Sequence, residues 1–186
     1  MKFFVFSAFL VLLLLVLVLL KIIKALYKLA YYDYLTGAYN RRYLSGYMQR
    51  LALKRQSVCC VMLDMNNFKQ INDTLGHYAG DIVLKEIAAI LQKAITSSNM
   101  RGFVARYGGD EFFMVLHTQN KFLVKPVINK IKLSFEQFCF QTNIPHKISC
   151  SVGYDIYEPA KWRSFAAFEK HIDKLMYQNK KRISYK

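Results

Sequence analysis

The chain has 186 residues, and 27 Lys and Arg against 12 Asp and Glu give a formal net charge of +15. That length holds one domain of ordinary size, or one domain with an appendage. A hydrophobic content of 54%, with 13 Tyr and 14 Phe, excludes a disordered chain, and eight Gly and three Pro exclude collagen-like and low-complexity classes. The four cysteines, Cys59, Cys60, Cys139 and Cys150, show no Cys-x-x-Cys spacing. Two are adjacent inside an apolar run, so they read as buried, reduced thiols in a reducing compartment.

The predicted elements begin with an apolar segment, Phe3 to Leu20, eighteen residues with one Ser and no charge. That is near the ~20 residues needed to cross a bilayer core. No small-x-small cleavage site follows it, which disfavours a cleaved signal peptide. Instead Lys21, Lys24 and Lys28 follow, and they favour a cytoplasmic C-terminal side. Lys2 and the free amino terminus oppose this more weakly. The expected organisation is a transmembrane anchor with a juxtamembrane segment over residues 1–30, and one domain over residues 31–186. The two join directly through Tyr27–Tyr34, with no sensory domain between them. Residues 1–30 hold four lysines and no acid, so the other 156 residues carry 23 basic and 12 acidic groups, or +11. This excess favours an anionic partner, whether nucleotide phosphate, lipid headgroup or nucleic acid, and a solvated basic face beside an anionic membrane accounts for it equally.

Within the domain, Asp33-Tyr34-Leu35-Thr36-Gly37 reads as a turn, and Asn40 caps a helix reaching about Arg55. Ser57–Met65 is a short continuous apolar run ending in an acid, as expected of a central strand buried on both faces. Phe68–Leu75 is a short helix stopped by Gly76. Asp81–Ser97 places Ile82, Leu84, Ile87, Ile90 and Leu91 at helical spacing. Phe103–Tyr107 and Glu111–Leu116 flank Gly108-Gly109-Asp110, a hairpin signal. A helix over Lys121–Gln141, a strand over Ile148–Tyr157 and a helix over Ser164–Asn179 complete the order α-β-α-α-β-β-α-β-α. The fold class is α+β, with helices packed over one mixed sheet.

A carboxylate at the mouth of a buried strand, such as Asp64, is costly unless something pairs with it. It reads either as an N-cap for the next helix or as a metal ligand. Asp110 and Glu111 sit on the hairpin tip, where two glycines permit close approach of a ligand. If the strand ending at Asp64 lies beside this hairpin, three carboxylates converge, and such oxygens suit Mg²⁺, which usually takes one or two carboxylates plus substrate phosphates. Phe68-Lys69 opens a helix just past Asp64, where N–H groups and an ammonium can face a phosphate. Asn72 and Asp81 offer an acceptor-rich edge suited to the N1–H and 2-amino group of guanine. Lys180, Lys181 and Arg182 end the last helix. Taken singly, each of these is an ordinary surface residue.

Together they are ordered blocks: Asp33-x-Leu-Thr-Gly-x-x-Asn-Arg-Arg42, Asp64-Met-Asn-Asn-Phe-Lys-Gln-Ile-Asn-Asp-Thr-Leu-Gly-His-Tyr-Ala-Gly-Asp81, Arg106-Tyr-Gly-Gly-Asp-Glu-Phe112, Ser149-Cys-Ser-Val-Gly153 and Asp173-x-x-Met-Tyr-x-x-Lys180. In these blocks the sequence resembles the GGDEF-domain diguanylate cyclases, from about Asp33 to Lys180. The resemblance implies a cyclase-palm-like fold and the condensation of two GTP into cyclic di-GMP and two pyrophosphates by a homodimer at the bacterial inner membrane, single-pass with a cytoplasmic catalytic domain. It implies Mg²⁺, with Mn²⁺ as an alternate, held by Asp64, the Met65 carbonyl and Asp110, with Glu111 as a further acid. Asp110 is implied as the acceptor of the ribose 3′-hydroxyl proton and Lys69 as the group that stabilises phosphate charge. Phe68, Asn72, His77 and Asp81 are implied to bind the nucleotide, and Lys180 its phosphates. An acid at position 81 implies a preference for GTP over ATP.

Three departures from the family pattern stand out. Asn66 replaces a second Asp. Asn99-Met-Arg-Gly102 stands where an inhibitory Arg-x-x-Asp is usual, so that product-inhibition site is expected to be absent. The family's Gly-Arg-Asn after the last lysine is missing, with Arg182 nearby in a shifted register. The rival readings are a silent module that binds GTP or a partner protein, a palm of another type, and a nucleic-acid-binding domain; no binding motif supports the last, and nucleic acid is not an expected partner.

Overall fold

A computed structural model describes residues 2–142 and 148–184. A long helix, α1 (Lys2–Tyr31), leads into a two-residue strand β1 (Tyr39–Asn40) and helix α2 (Arg41–Leu53). Then come strand β2 (Val58–Asn66), helices α3 (Phe68–Leu75) and α4 (His77–Thr96), and strands β3 (Gly102–Arg106) and β4 (Glu111–Leu116). A 3₁₀ turn (Lys121–Leu123) opens α5 (Val124–Thr142), followed by β5 (Ser149–Tyr157) and α6 (Phe165–Ser184). The strands form one mixed sheet in the order β1-β3-β4-β2-β5. β2 is antiparallel to both β4 and β5, β3 is antiparallel to β4, and β1 is parallel to β3. The α+β reading is thus the observed one.

The continuous apolar run of β2 has the burial it implied. Cys59, Val61 and Leu63 face one core with α3, α4 and α5, while Val58, Cys60 and Met62 face a second with α2 and α6. Alternating side chains of one strand feed both layers. The cysteines are free thiols, and burial pushes Cys59 and Cys150 up to about 12, so neither forms a thiolate readily.

Three differences from the sequence reading have identifiable causes. β1 lies beyond local pattern, because two residues carry no period and the pairing to Ala105 and Arg106 is non-local. Helix α4 starts at His77 rather than Asp81: Gly76, at φ 82°, ends α3 and admits the next helix immediately. The mid-helix Gly80 that disguised this turn lies under Asn72, whose Oδ1 would be 1.9 Å from any Cβ there. The last helix runs on past Asn179 to Ser184. Asn40 does cap α2, its Oδ1 accepting from the Tyr43 N–H at 3.0 Å.

α6 lies against β5 so closely that a Cβ on Gly153 would stand 2.3 Å from the Ile172 carbonyl oxygen and 2.5 Å from the Met176 nitrogen. Both are backbone atoms and cannot rotate away. Gly153→Ala should therefore push α6 off the sheet and cost about 2–3 kcal/mol, read as a lowered urea midpoint. An unchanged midpoint would show that the contact is not tight.

Candidate active site

β2 and β4 bring the acids together. Asp64 and Glu111 are direct cross-strand partners, and the Met65 N–H donates to the Asp110 carbonyl at 3.2 Å, fixing the hairpin tip to the end of β2. Asp64 does not cap α3. That helix begins after Asn67, in the left-handed region at φ 58°, with no side-chain cap. The Asp64 Oδ1 instead accepts from the Lys180 Nζ at 2.5 Å, across 116 residues of sequence.

The electrostatics follow from this crowding. Burial raises the Asp110 carboxyl above its ordinary value and the Asp64 charge raises it further, while Lys180 and Arg106 pull the other way. Burial, then Asp64, Asp110 and Asp173, raise the Glu111 carboxyl. Such mutual repulsion is what a bound cation relieves. Among the described residues no three His, Cys, Asp or Glu side chains form a ready-made metal cluster, so the three carboxylates are neighbours rather than a closed cage. An open, hard-oxygen donor set fits a cation that takes one or two carboxylates and completes its shell with water and phosphate.

The other expected residues lie on α3, α4 and α6. Phe68 is buried and packs beneath Gly80, anchoring the start of α3. Lys69 is exposed on the first turn of α3, and Asn72 is half-buried one turn on. His77 and Asp81 are exposed on the first two turns of α4. α3 and α4 are thus joined at Gly76 with Asn72 against Gly80, so the two expected guanine-binding side chains lie at one helix junction. Lys181 and Arg182 are exposed at the end of α6.

Several residues take positioning roles that the sequence reading did not assign to them. The Arg106 guanidinium donates to the Gly109 carbonyl through Nε at 3.1 Å and Nη2 at 2.7 Å, and to Asp33 Oδ1 through Nη1 at 3.1 Å. Asp33 Oδ1 also accepts from the Thr36 N–H at 2.9 Å and its hydroxyl at 2.7 Å, closing the turn that follows α1. The Tyr107 hydroxyl donates to Glu169, and Arg41 lies 4.3 Å over the Tyr107 ring. Asn66 is buried, donating to the Ser149 hydroxyl at 3.0 Å and accepting from the Ser151 hydroxyl at 2.7 Å. A neutral amide can both donate and accept there, which an ionised carboxylate cannot. The Asn179 side chain accepts from the Val152 N–H at 3.0 Å and aligns α6 with β5. Asp33, Arg106, Asn66 and Asn179 all lie in or beside the motif blocks, and that placement was the available signal.

Comparison with known proteins bears on this geometry. Residues 30–185 match the family described as "Diguanylate cyclase, GGDEF domain". The chain is 30% identical over 171 residues to Signaling protein YkoW of Bacillus subtilis, covering 83% of this chain and 21% of that protein. It is 32% identical over 160 residues to Diguanylate cyclase DgcS of Shewanella oneidensis, covering 81% and 50%. The chain thus spans about a fifth to a half of the length of these relatives. A crystal structure of the coiled coil and GGDEF domain of DgcB from Caulobacter crescentus, in complex with c-di-GMP, has the same fold, with a TM-score of 0.76 at 23% identity over 89% of this chain and 88% of that one.

Burial works to raise the Asp33 carboxyl, but its hydrogen bonds from Thr36 and the Arg106 guanidinium outweigh this and hold it below the ordinary value. A depressed folded value stabilises fully above the unfolded carboxyl range, and the contribution is lost as pH falls through the folded value. Asp33→Asn should therefore cost about 2 kcal/mol at neutral pH, with the gap from the parent chain closing in strong acid. Urea titrations at both pH values check this, and a gap that persists in acid would overturn it.

Proposed function

The chain belongs to the GGDEF family, and on that premise we propose that it is a diguanylate cyclase, condensing two GTP into cyclic di-GMP and two pyrophosphates across a homodimer. The observation that carries the reading is the convergence of Asp64, Asp110 and Glu111 at the β2–β4 edge, with Lys180 brought onto Asp64 from the far end of the chain. Asp64, the Met65 carbonyl and Asp110 would hold Mg²⁺, or Mn²⁺ in its place, with Glu111 supporting. When bound, the cation lowers the hold of the ribose 3′-hydroxyl on its proton and offsets charge at the α-phosphate.

The remaining work falls to this chain's own groups. Asp110 accepts the 3′-hydroxyl proton from its place at the hairpin tip beside the end of β2. Lys69, exposed at the start of α3, stabilises phosphate charge as it develops. Lys180 leaves Asp64 for the substrate's phosphates, an exchange of one anion for another. Asn72 and Asp81 accept hydrogen bonds from the guanine edge, His77 contacts the nucleotide beside them, and buried Phe68 holds the helix that carries them. Each protomer holds one nucleotide, and the dimer aligns the two for reciprocal in-line attack.

Residues 31–186 form the catalytic domain in this reading, and residues 1–30 the anchor. Phe9–Tyr31 is long and apolar enough to cross a membrane, and unlike a core helix its most apolar stretch is not buried by the rest of the chain. The lysines at its C-terminal end support a domain on the cytoplasmic side of a bacterial inner membrane.

The full chain in detergent, given GTP and Mg²⁺, is expected to yield cyclic di-GMP. Asp110→Ala should lower the rate by about 10²-fold or more, and EDTA should abolish it until Mg²⁺ is restored. GTP binding by a dimer without product would instead support a silent module. Asp81→Ser removes the acid expected to select guanine, and competition between GTP and ATP should then narrow. Equal use of ATP by the parent chain would sink the assignment of Asp81.

A further inference from the structure

α1 meets α2 through a ladder of tyrosines. Tyr31 stands edge-on to Tyr43 at 5.9 Å, Tyr43 stacks on Tyr39 at 3.7 Å, and Tyr47 continues the row. Between the two helices the ladder leaves a cleft of about 400 Å³, lined among others by Tyr27, Tyr31, Arg42, Tyr43, Gln49 and Arg50. Both arginines are exposed, and no acid lines the cleft. The Arg50 guanidinium lies 6.0 Å over the Tyr43 ring and 5.7 Å over Tyr47, which keeps this cation at the cleft's rim.

The charge around the cleft is one-sided. Residues 1–63 hold nine Lys and Arg and one acid, Asp33. That acid is engaged by Arg106, 3.1 Å away, and so does not neutralise the cleft. Arg42 and Arg50 therefore face solvent with an unbalanced field, and a guanidinium pair beside hydroxyl and amide groups is a donor set for a phosphate monoanion or diester.

Depth decides which phosphate. At 1.5 Å per residue, about 20 residues cross the ~30 Å hydrocarbon core. A span ending near Ile23 would put Tyr27 about 6 Å and Tyr31 about 12 Å past its edge, against a headgroup layer roughly 5–8 Å thick. The inner end of the cleft, at Tyr27, therefore lies inside that layer, and the outer end, at Tyr31, lies a few ångströms beyond it. Lys21, Lys24 and Lys28 reach the same zone by extending their stems along the helix.

We propose that the cleft between the end of α1 and α2 binds the phosphate headgroup of an anionic phospholipid, held by Arg42 and Arg50 between the tyrosine rings. The inference rests on the reading of α1 as a membrane span. It gives the two arginines of the cleft a specific partner. It also fixes the tilt of the catalytic domain against the bilayer, because the headgroup bridges the anchor and the first helix of the domain.

The test uses the full chain in nanodiscs of phosphatidylcholine containing a minor fraction of phosphatidylglycerol, with retained lipid counted by native mass spectrometry. Arg42→Gln/Arg50→Gln should lower phosphatidylglycerol retention about tenfold, the scale of one or two charge-assisted hydrogen bonds. Gly46→Phe fills the cleft without changing charge and should do the same. A Cβ at Gly46 meets only Arg50 Nη1, at 3.8 Å, so the helix tolerates a side chain, and thermal melting by circular dichroism confirms the fold. Lys54→Gln/Arg55→Gln, just past the C-terminal end of α2 and outside the cleft, should retain lipid as the parent does.

Retention undiminished in the cleft variants overturns the site, as does an equal loss in Lys54→Gln/Arg55→Gln, which would mark a diffuse basic face. Displacement of phosphatidylglycerol by millimolar inorganic phosphate overturns the lipid in favour of a free anion. Flotation of the full chain with vesicles separates the two readings. A chain that floats but fails the retention test loses only the headgroup site, whereas one that does not float loses the anchor and the site with it.

Discussion

Two hydrogen bonds from the Arg106 guanidinium to the Gly109 carbonyl, and a third to the Asp33 carboxylate, tie together the tip of the β3–β4 hairpin and the turn that follows α1. The planar donor fork makes this possible, since one side chain can hold a carbonyl and a carboxylate at fixed angles. Asp110 is the next residue after that carbonyl, so its position depends on the clamp. The same clamp links the end of α1 to the candidate site, because Asp33 lies two residues past the end of α1.

The second constraint is β2. A strand buried on both faces must end somewhere, and the carboxylate of Asp64 comes where it leaves the core. Its cross-strand partner is Glu111, and Asp110 is held to Met65 by the backbone. Burial first, and then the repulsion among three acids at one sheet edge, raise the Asp110 and Glu111 carboxyls above their ordinary values. The fold tolerates this because Lys180 donates to Asp64 and Arg106 lies nearby. A substrate phosphate with its cation can replace that internal balance. The stability given up at the acid edge is the capacity that the proposed chemistry uses.

Charge is arranged oppositely at two places in the chain. At the sheet edge, acids gather where a cation and a triphosphate are expected. At the cleft between α1 and α2, Arg42 and Arg50 stand with no acid in the lining, as the proposed headgroup site requires. The tyrosine ladder between Tyr27 and Tyr47 packs the junction without adding negative charge, since phenols stay neutral at physiological pH. Burial raises the Tyr43 and Tyr47 hydroxyls further in that direction.

The local signals in the sequence determined much of the framework. The Asn40 cap, the doubly buried run of β2, the Gly76 stop and the Gly-Gly hairpin each depend on residues within a few positions, so pattern and propensity suffice to read them. The acids at 64, 110 and 111 were legible as a candidate site for the same reason, since a charge at a strand mouth is conspicuous. Tertiary structure alone decided that Lys180 reaches Asp64, that Asn66 bridges two serines on β5, that Arg106 clamps Asp33, and that Asn72 occupies the space over Gly80. These contacts join residues up to 116 positions apart. Their partners are chosen by how the sheet orders its strands, and strand order is a property of the packed layers that no single segment encodes.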